Sequence, residues 1–143
     1  VFRVNLKIPI LYPENPFTVA GILEKTDMKT LNSMLEPNAH LRIRRGTIDK
    51  LEFSAVYGKR TANGKMKFYY RDLKISLLKS KERGDHQEMA FTSFLANIII
   101  HQHNPSPGES LRESRIFYEV ESPVSFFSYI WKSLLSGIKS SIR

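Results

Sequence analysis

Between residues 41 and 77 apolar side chains recur at every second position. Leu41 and Ile43 alternate with Arg42 and Arg44. After a break at Gly46 the period returns at Leu51, Phe53, Ala55 and Tyr57, and again at Met66, Phe68 and Tyr70. A period of two sends successive side chains to opposite faces of a strand, so this stretch predicts one apolar sheet face backed by a charged one. "GKRTANG" at 58–64, bounded by two glycines, predicts the hairpin loop between the two halves. From Leu73 through Ile75 to Leu77 the apolar positions change parity. The slip between Tyr70 and Leu73 requires a bulge or a break there, because otherwise the apolar residues would cross to the other face.

The flanking sequence extends the same pattern. Val4, Leu6, Ile8 and Ile10 alternate as a strand stopped by the prolines at 9, 13 and 16. "DMKTLNSMLEPN" predicts a short helix capped by Asp27, with Leu31, Met34 and Leu35 on one face and Pro37 as its end. "KSKERGDHQE" (79–88) predicts a charged loop, "MAFTSFLANIIIHQH" (89–103) a long or broken strand, and "NPSPGESLRESR" (104–115) a mobile loop. Ile116, Tyr118 and Val120 form a last strand, and Ser122 and Pro123 fit the N-cap and first residue of a terminal helix. Strands joined by hairpin-sized loops, with helices only toward the ends, predict a mainly β fold with minor α. The expected architecture is an antiparallel, meandering, curved sheet, with a short helix near the N-terminal third and an amphipathic helix at the C-terminus. At 143 residues the chain has the length of one domain, 1–143.

The terminal segment "SFFSYIWKSLLSGIKSSIR" puts Phe127, Ile130, Trp131, Leu134, Leu135, Ile138 and Ile142 on one helical stripe, has no acidic residue, and leaves its serines for an outer face. Large aromatic groups beside lysines suit a bilayer interface as well as a core. Phe126, Phe127, Ile130, Trp131, Leu134 and Leu135 are therefore the candidates for a membrane- or partner-facing helix surface.

Little in the sequence carries chemistry. The absence of cysteine excludes thiol catalysis and cysteine-ligated zinc. "HQH" (101–103) puts two imidazoles on one side of a strand, but a metal centre would need a third ligand, for which only His40, His86, Asp85 and Glu88 are loosely available, so no metal site is assigned. There is no phosphate-binding glycine loop and no nucleophile elbow, and no cofactor or enzymatic activity is expected. The whole net charge of +8 comes from residues 36–83; elsewhere acids and bases balance. Arg42, Arg44, Lys65 and Lys67 point away from Phe68 and Tyr70, so charge and rings do not line one groove. That argues against nucleic acid. The ordinary reading is a solvated outer sheet face, and an anionic lipid surface fits the same charge at least as well as nucleic acid, with these four as candidate headgroup contacts.

The apolar sheet face needs a cover, since burying each large side chain is worth ~1.5–3 kcal/mol. The chain's own helices, a neighbouring sheet segment and a lipid acyl chain are the three candidates. Here the order of elements resembles the C-terminal part of AsmA-like envelope proteins, particularly the long ones of Bacteroidetes. The resemblance runs from "VAGILEKTDMKTLNSMLEPNAHLRIRRGTIDKLEFSAVYG" through "GKMKFYYRDLKISLL" to "SFFSYIWKSLLSGIK". It implies a module of a longer protein, anchored to a membrane through a preceding segment and extending through the bacterial periplasm as an elongated sheet. The apolar face of that sheet would be a groove for lipid tails, contributing to outer-membrane lipid transport or assembly. Carried over by position, Leu51, Phe53, Ala55, Tyr57, Met66, Phe68 and Tyr70 would line the groove. The expected partners are lipid or a membrane surface and other envelope proteins. The alternative is an assembly module without a ligand, pairing through an edge strand at Val4–Ile10. Nucleic-acid binding is a more distant third.

Overall fold

A computed structural model describes residues 2–7, 16–39, 41–77, 100–121 and 124–142. The charged loop predicted at 79–88 and most of the strand predicted at 89–103 lie outside the described residues, as do the prolines at 9 and 13. Five strands follow one another across a single antiparallel sheet in chain order: β1 (Phe2–Lys7), β2 (Phe17–Asp27), β3 (Leu41–Tyr57), β4 (Thr61–Leu77) and β5 (Ser114–Glu119). A 3-10 turn (Met28–Leu31) and helix α1 (Asn32–Ala39) connect β2 to β3, and helix α2 (Phe126–Ile142) closes the fold. The protein is mainly β with minor α, an antiparallel meander.

The long β3–β4 hairpin is the frame. Its apolar residues pair across the strands in the expected register, Leu51 with Phe68, Phe53 with Met66 and Tyr57 with Ala62. The predicted slip is present. Arg45 pairs with Lys74 and Thr47 with Arg71, so β4 carries one more residue than β3 in this stretch, and Asp72 takes up the turn at φ 55°. Aspartate tolerates this left-handed backbone better than most residues. Tyr70 and Leu73 consequently face the same side and are both buried. The hairpin loop is shorter than predicted. Thr61 through Gly64 belong to β4, and the turn is closed by the Gly58 N–H donating to the Thr61 carbonyl at 2.9 Å.

The capping residues divide. Asp27 does cap, its Oδ1 accepting from the Lys29 N–H at 2.9 Å. Pro37 does not end its helix, which runs two residues further to Ala39, where a missing donor costs one bond in a final turn. The Asn32 side chain ties this helix to β3, donating to the Ile43 carbonyl at 3.0 Å and accepting from its N–H at 2.7 Å. For α2 the N-cap is Ser125 rather than Ser122, its hydroxyl accepting from the Ser128 N–H at 3.2 Å. Ser122 and Pro123 lie outside the described residues.

The stretch predicted as a mobile loop is cross-braced. Gln102 and Asn104 extend the sheet edge beside β4: the Leu73 N–H donates to the Gln102 carbonyl, and Tyr70 and Asn104 exchange both backbone bonds at 2.8–3.0 Å. Asn104, 1% exposed, then donates from its side chain to the Phe68 and Arg112 carbonyls and accepts from the Arg112 N–H. One buried amide thus replaces the missing strand pairing between this edge and the start of β5.

Burial pushes the Tyr70 hydroxyl up to about 12 while it donates to the His101 carbonyl at 2.9 Å, and also raises Tyr57. An unfolded tyrosine ionises near 10. Between about pH 10 and 12 the unfolded chain has therefore released a proton that the folded chain still holds, and stability falls as pH rises through that window. Tyr70→Phe removes one such group. Its urea midpoint is expected to decline less steeply than that of the parent over this range, and equal slopes would refute the assignment.

Candidate functional site

The two faces of the sheet offer different chemistry. On the apolar face, every residue assigned to a lipid groove (Leu51, Phe53, Ala55, Tyr57, Met66, Phe68 and Tyr70) is buried, at 7% exposure or less. These side chains are core and do not line an open cleft. The physical reason lies in α2, which packs on β4 and β5 through its small residues. Tyr129, Ser133, Gly137 and Ser141, spaced four apart, are all buried. A Cβ on Gly137 would come within 2.9 Å of both Ile116 and Met66, so the helix sits as close as a bare backbone allows. The serines expected on the outer face instead make buried hydrogen bonds, Ser133 with Tyr57 and Ser141 with Ser114. An aromatic chain continues the contact: Phe126 meets Phe17 at 5.1 Å, Phe17 stacks on Tyr57 at 4.9 Å, and Tyr129 meets Tyr57 edge-on at 5.1 Å.

The greasy stripe of α2 divides: Ile138 and Ile142 are buried in the core, and the rest of it lies toward the flanks. Ile130, Trp131, Leu134 and Leu135 are half-buried against the core. The Trp131 indole N–H is buried without a partner among the described residues, whereas an interfacial tryptophan turns that group toward headgroups. Of the six helix residues assigned to a membrane or partner, Phe127, 81% exposed, and Phe126 are the open ones.

The apolar face is also uncovered along β1. Val4 pairs with Gly21 and Leu6 with Val19, which places them on the same face as the core. They remain 46% and 45% exposed, whereas Val19 is buried. β1 stands at the sheet edge, and among the described residues its outer side has no strand partner.

The opposite face holds a depression of ≈ 540 Å³. Two adjacent cross-strand rows build it: Arg3, Ile22, Glu52 and Lys67 in one, Asn5, Ala20, Ser54 and Lys65 in the next. Ala20 and Ser54 make a low floor between the longer side chains of β1 and β4, and Glu113 borders it from the β5 side. Glu52 pairs with Lys50 at 2.6 Å, and hydrogen bonding to that ammonium holds its carboxyl below the usual range.

The four cationic candidates are not one cluster. Lys65 and Lys67 line the depression. Arg42 and Arg44 lie at the far end of β3, where Arg42 pairs with Glu36 at 2.7 Å and Arg44 donates to the Ser76 hydroxyl at 2.6 Å. Arg3, Asn5, Glu52 and Ser54 are additions to the sequence assignment. Their own strands mark them as outward-facing, but only the strand order and register bring them beside the lysines. Of the histidines at 101 and 103, the His103 Nδ1 accepts from the Asp72 N–H at 3.2 Å, and the His101 backbone N–H donates to the Ile142 carbonyl at 2.9 Å. Among the described residues no three metal-ligating side chains converge. His40, Asp85, His86 and Glu88 lie outside them. No described helix is long and apolar enough to cross a membrane.

No family model, no curated protein and no solved structure matches this chain.

Proposed function

We propose that the chain is a non-catalytic module of an AsmA-like envelope protein, forming the closed end of an extended sheet whose apolar face serves lipid tails. The observation that carries this reading is the gradient of cover across that face. It is sealed over β3, β4 and β5 and opens at β1, where Val4 and Leu6 are exposed beside buried Val19. Tails would meet this rim and the neighbouring strands beyond it, not the buried side chains of β3 and β4. Periplasmic location, anchoring by a preceding segment and a part in outer-membrane lipid transport or assembly belong to the same reading. Phe126 and Phe127 at the start of α2 would be its contact with a bilayer or another envelope protein.

The experiment is organic extraction of the purified protein followed by mass spectrometry. Lipid is expected with the parent and is expected to fall several-fold with a Leu6→Asp, Val4→Asp double variant that keeps the parent's circular dichroism. A folded, lipid-free parent that ignores anionic vesicles would defeat the lipid reading. The unpaired outer side of β1 supports a second one, an assembly module that adds a strand from another segment. In that case the lipid-free protein would still protect the β1 amides from hydrogen exchange on meeting its partner.

A further inference from the structure

We propose that the depression on the face opposite α2 binds a phosphorylated polyol. This site is independent of the tail-binding rim, which lies on the other face of the sheet. Arg3 on β1 and Lys67 on β4 stand at opposite ends of one row, three strand spacings or about 14 Å apart. Cations on two walls with small side chains between them leave room for an anion to be held from both sides. The ≈ 540 Å³ volume lies within the range of small-molecule sites.

The charge layout is hard to explain by folding alone. Lys65 stands directly opposite Arg115 on β5, and like charges in that position destabilise a sheet. Arg115 leans away, toward Asn63 at 3.3 Å and over the Phe117 ring at 5.3 Å. That leaves the Lys65 ammonium unpaired among the described residues and beside Lys67. A phosphate would relieve the repulsion and accept charge-assisted hydrogen bonds from both lysines.

The other polar groups narrow the ligand class. Glu52 and Glu113 would repel a bare anion but accept hydrogen bonds from hydroxyl groups. Asn5 and Ser54 can both donate and accept, and Ile22, 40% exposed, offers an apolar contact for the carbon skeleton. Cations for a phosphate together with carboxylates for hydroxyls describe a polyol carrying a phosphate. Such a group exists both as a free metabolite and as a phospholipid headgroup.

The test uses the whole chain labelled with ¹⁵N, titrated separately with glycerol 3-phosphate, inorganic phosphate, phosphatidylglycerol vesicles and phosphatidylcholine vesicles. Glycerol 3-phosphate is expected to give saturable amide shifts centred on Ala20, Ser54 and Lys65, at an affinity several-fold tighter than inorganic phosphate. A Lys65→Glu, Lys67→Glu variant is expected to weaken it at least tenfold, with Lys59→Glu at the Gly58 turn as the charge control. Binding of phosphatidylglycerol vesicles, lost in the same variant, identifies a lipid headgroup as the source; a response to the soluble ligand alone identifies a free metabolite. The proposal is overturned if the folded protein shows no localised shifts, if inorganic phosphate binds equally well, or if Lys59→Glu weakens binding as much as the double variant. These outcomes are separable from lipid extraction at the β1 rim, because the Val4 and Leu6 variants do not touch this face.

Discussion

Gly64→Ala is expected to cost about 3 kcal/mol or more, beyond the usual range for adding one methyl group to a packed site. Gly64 lies in β4 opposite Ala55, and a Cβ there would stand 2.1 Å from the Ser54 carbonyl oxygen and 2.6 Å from the Ala55 Cα. Both obstacles are backbone. A flexible side chain can swing away from an intruding methyl, but here β3 and β4 would have to separate, and their ladder is the centre of the sheet. Gly58→Ala is the matched comparison, because its Cβ would meet only the Thr61 carbonyl, at an ordinary 3.4 Å. In urea denaturation the Gly64 variant is expected to lose most of its cooperative transition while the Gly58 variant stays within about 1 kcal/mol of the parent. Equal midpoints for the two would mean that the strands do not approach as described.

The same hairpin shows how far the sequence could be read. Alternation identifies which side chains of β3 and β4 share a face, and the parity change calls for a bulge or a break between Tyr70 and Leu73, where the backbone turns at Asp72. Both signals are local, because a strand's own pleat determines them. What covers the apolar face is a non-local matter. The stripe rule assigns the largest apolar residues of α2 to the core, yet close packing on a sheet favours the side with the least bulk. The spacing of Ser133, Gly137 and Ser141 was visible, but serine on a helix ordinarily means solvent. Whether it does so depends on hydrogen-bond partners such as Tyr57 and Ser114, which are distant in sequence. The depression on the opposite face was half legible in the same way. Lys65 and Lys67 were outward by parity, whereas Arg3, Ser54 and Glu52 join them only once β1 to β4 are known to pair in chain order.

Asn104 shows a third kind of illegibility, since it sits among prolines and glycine in a stretch that reads as loop. Its replacement is expected to be the most damaging polar substitution among the described residues. Asn104→Ala removes three hydrogen bonds at a position 1% exposed, and leaves the Phe68 carbonyl and both Arg112 backbone groups without that partner. At about 1–3 kcal/mol for each buried group left unsatisfied, a total loss near 3 kcal/mol is expected after partial relaxation. Asn104→Asp keeps the size and the acceptor for the Arg112 N–H, but turns an acceptor toward two carbonyls, so it should be no better than alanine. If the side chain merely filled space, aspartate would rescue. The consequence should also spread in a defined direction. The segment that Asn104 aligns also holds His101, whose N–H donates to the last turn of α2 at Ile142 and whose carbonyl accepts from Tyr70. Once that segment loosens, amide exchange should accelerate at Tyr70, Leu73 and Arg112 first and in the last turn of α2 next, before the β2–β3 ladder responds. Binding of an apolar dye should then rise in native buffer, because the helix that seals Met66, Phe68 and Tyr70 has lost its C-terminal anchor. Dye binding that stays at the parent's level, with exchange faster only at residues 101–112, would show that α2 holds the apolar face through its small-residue contact alone.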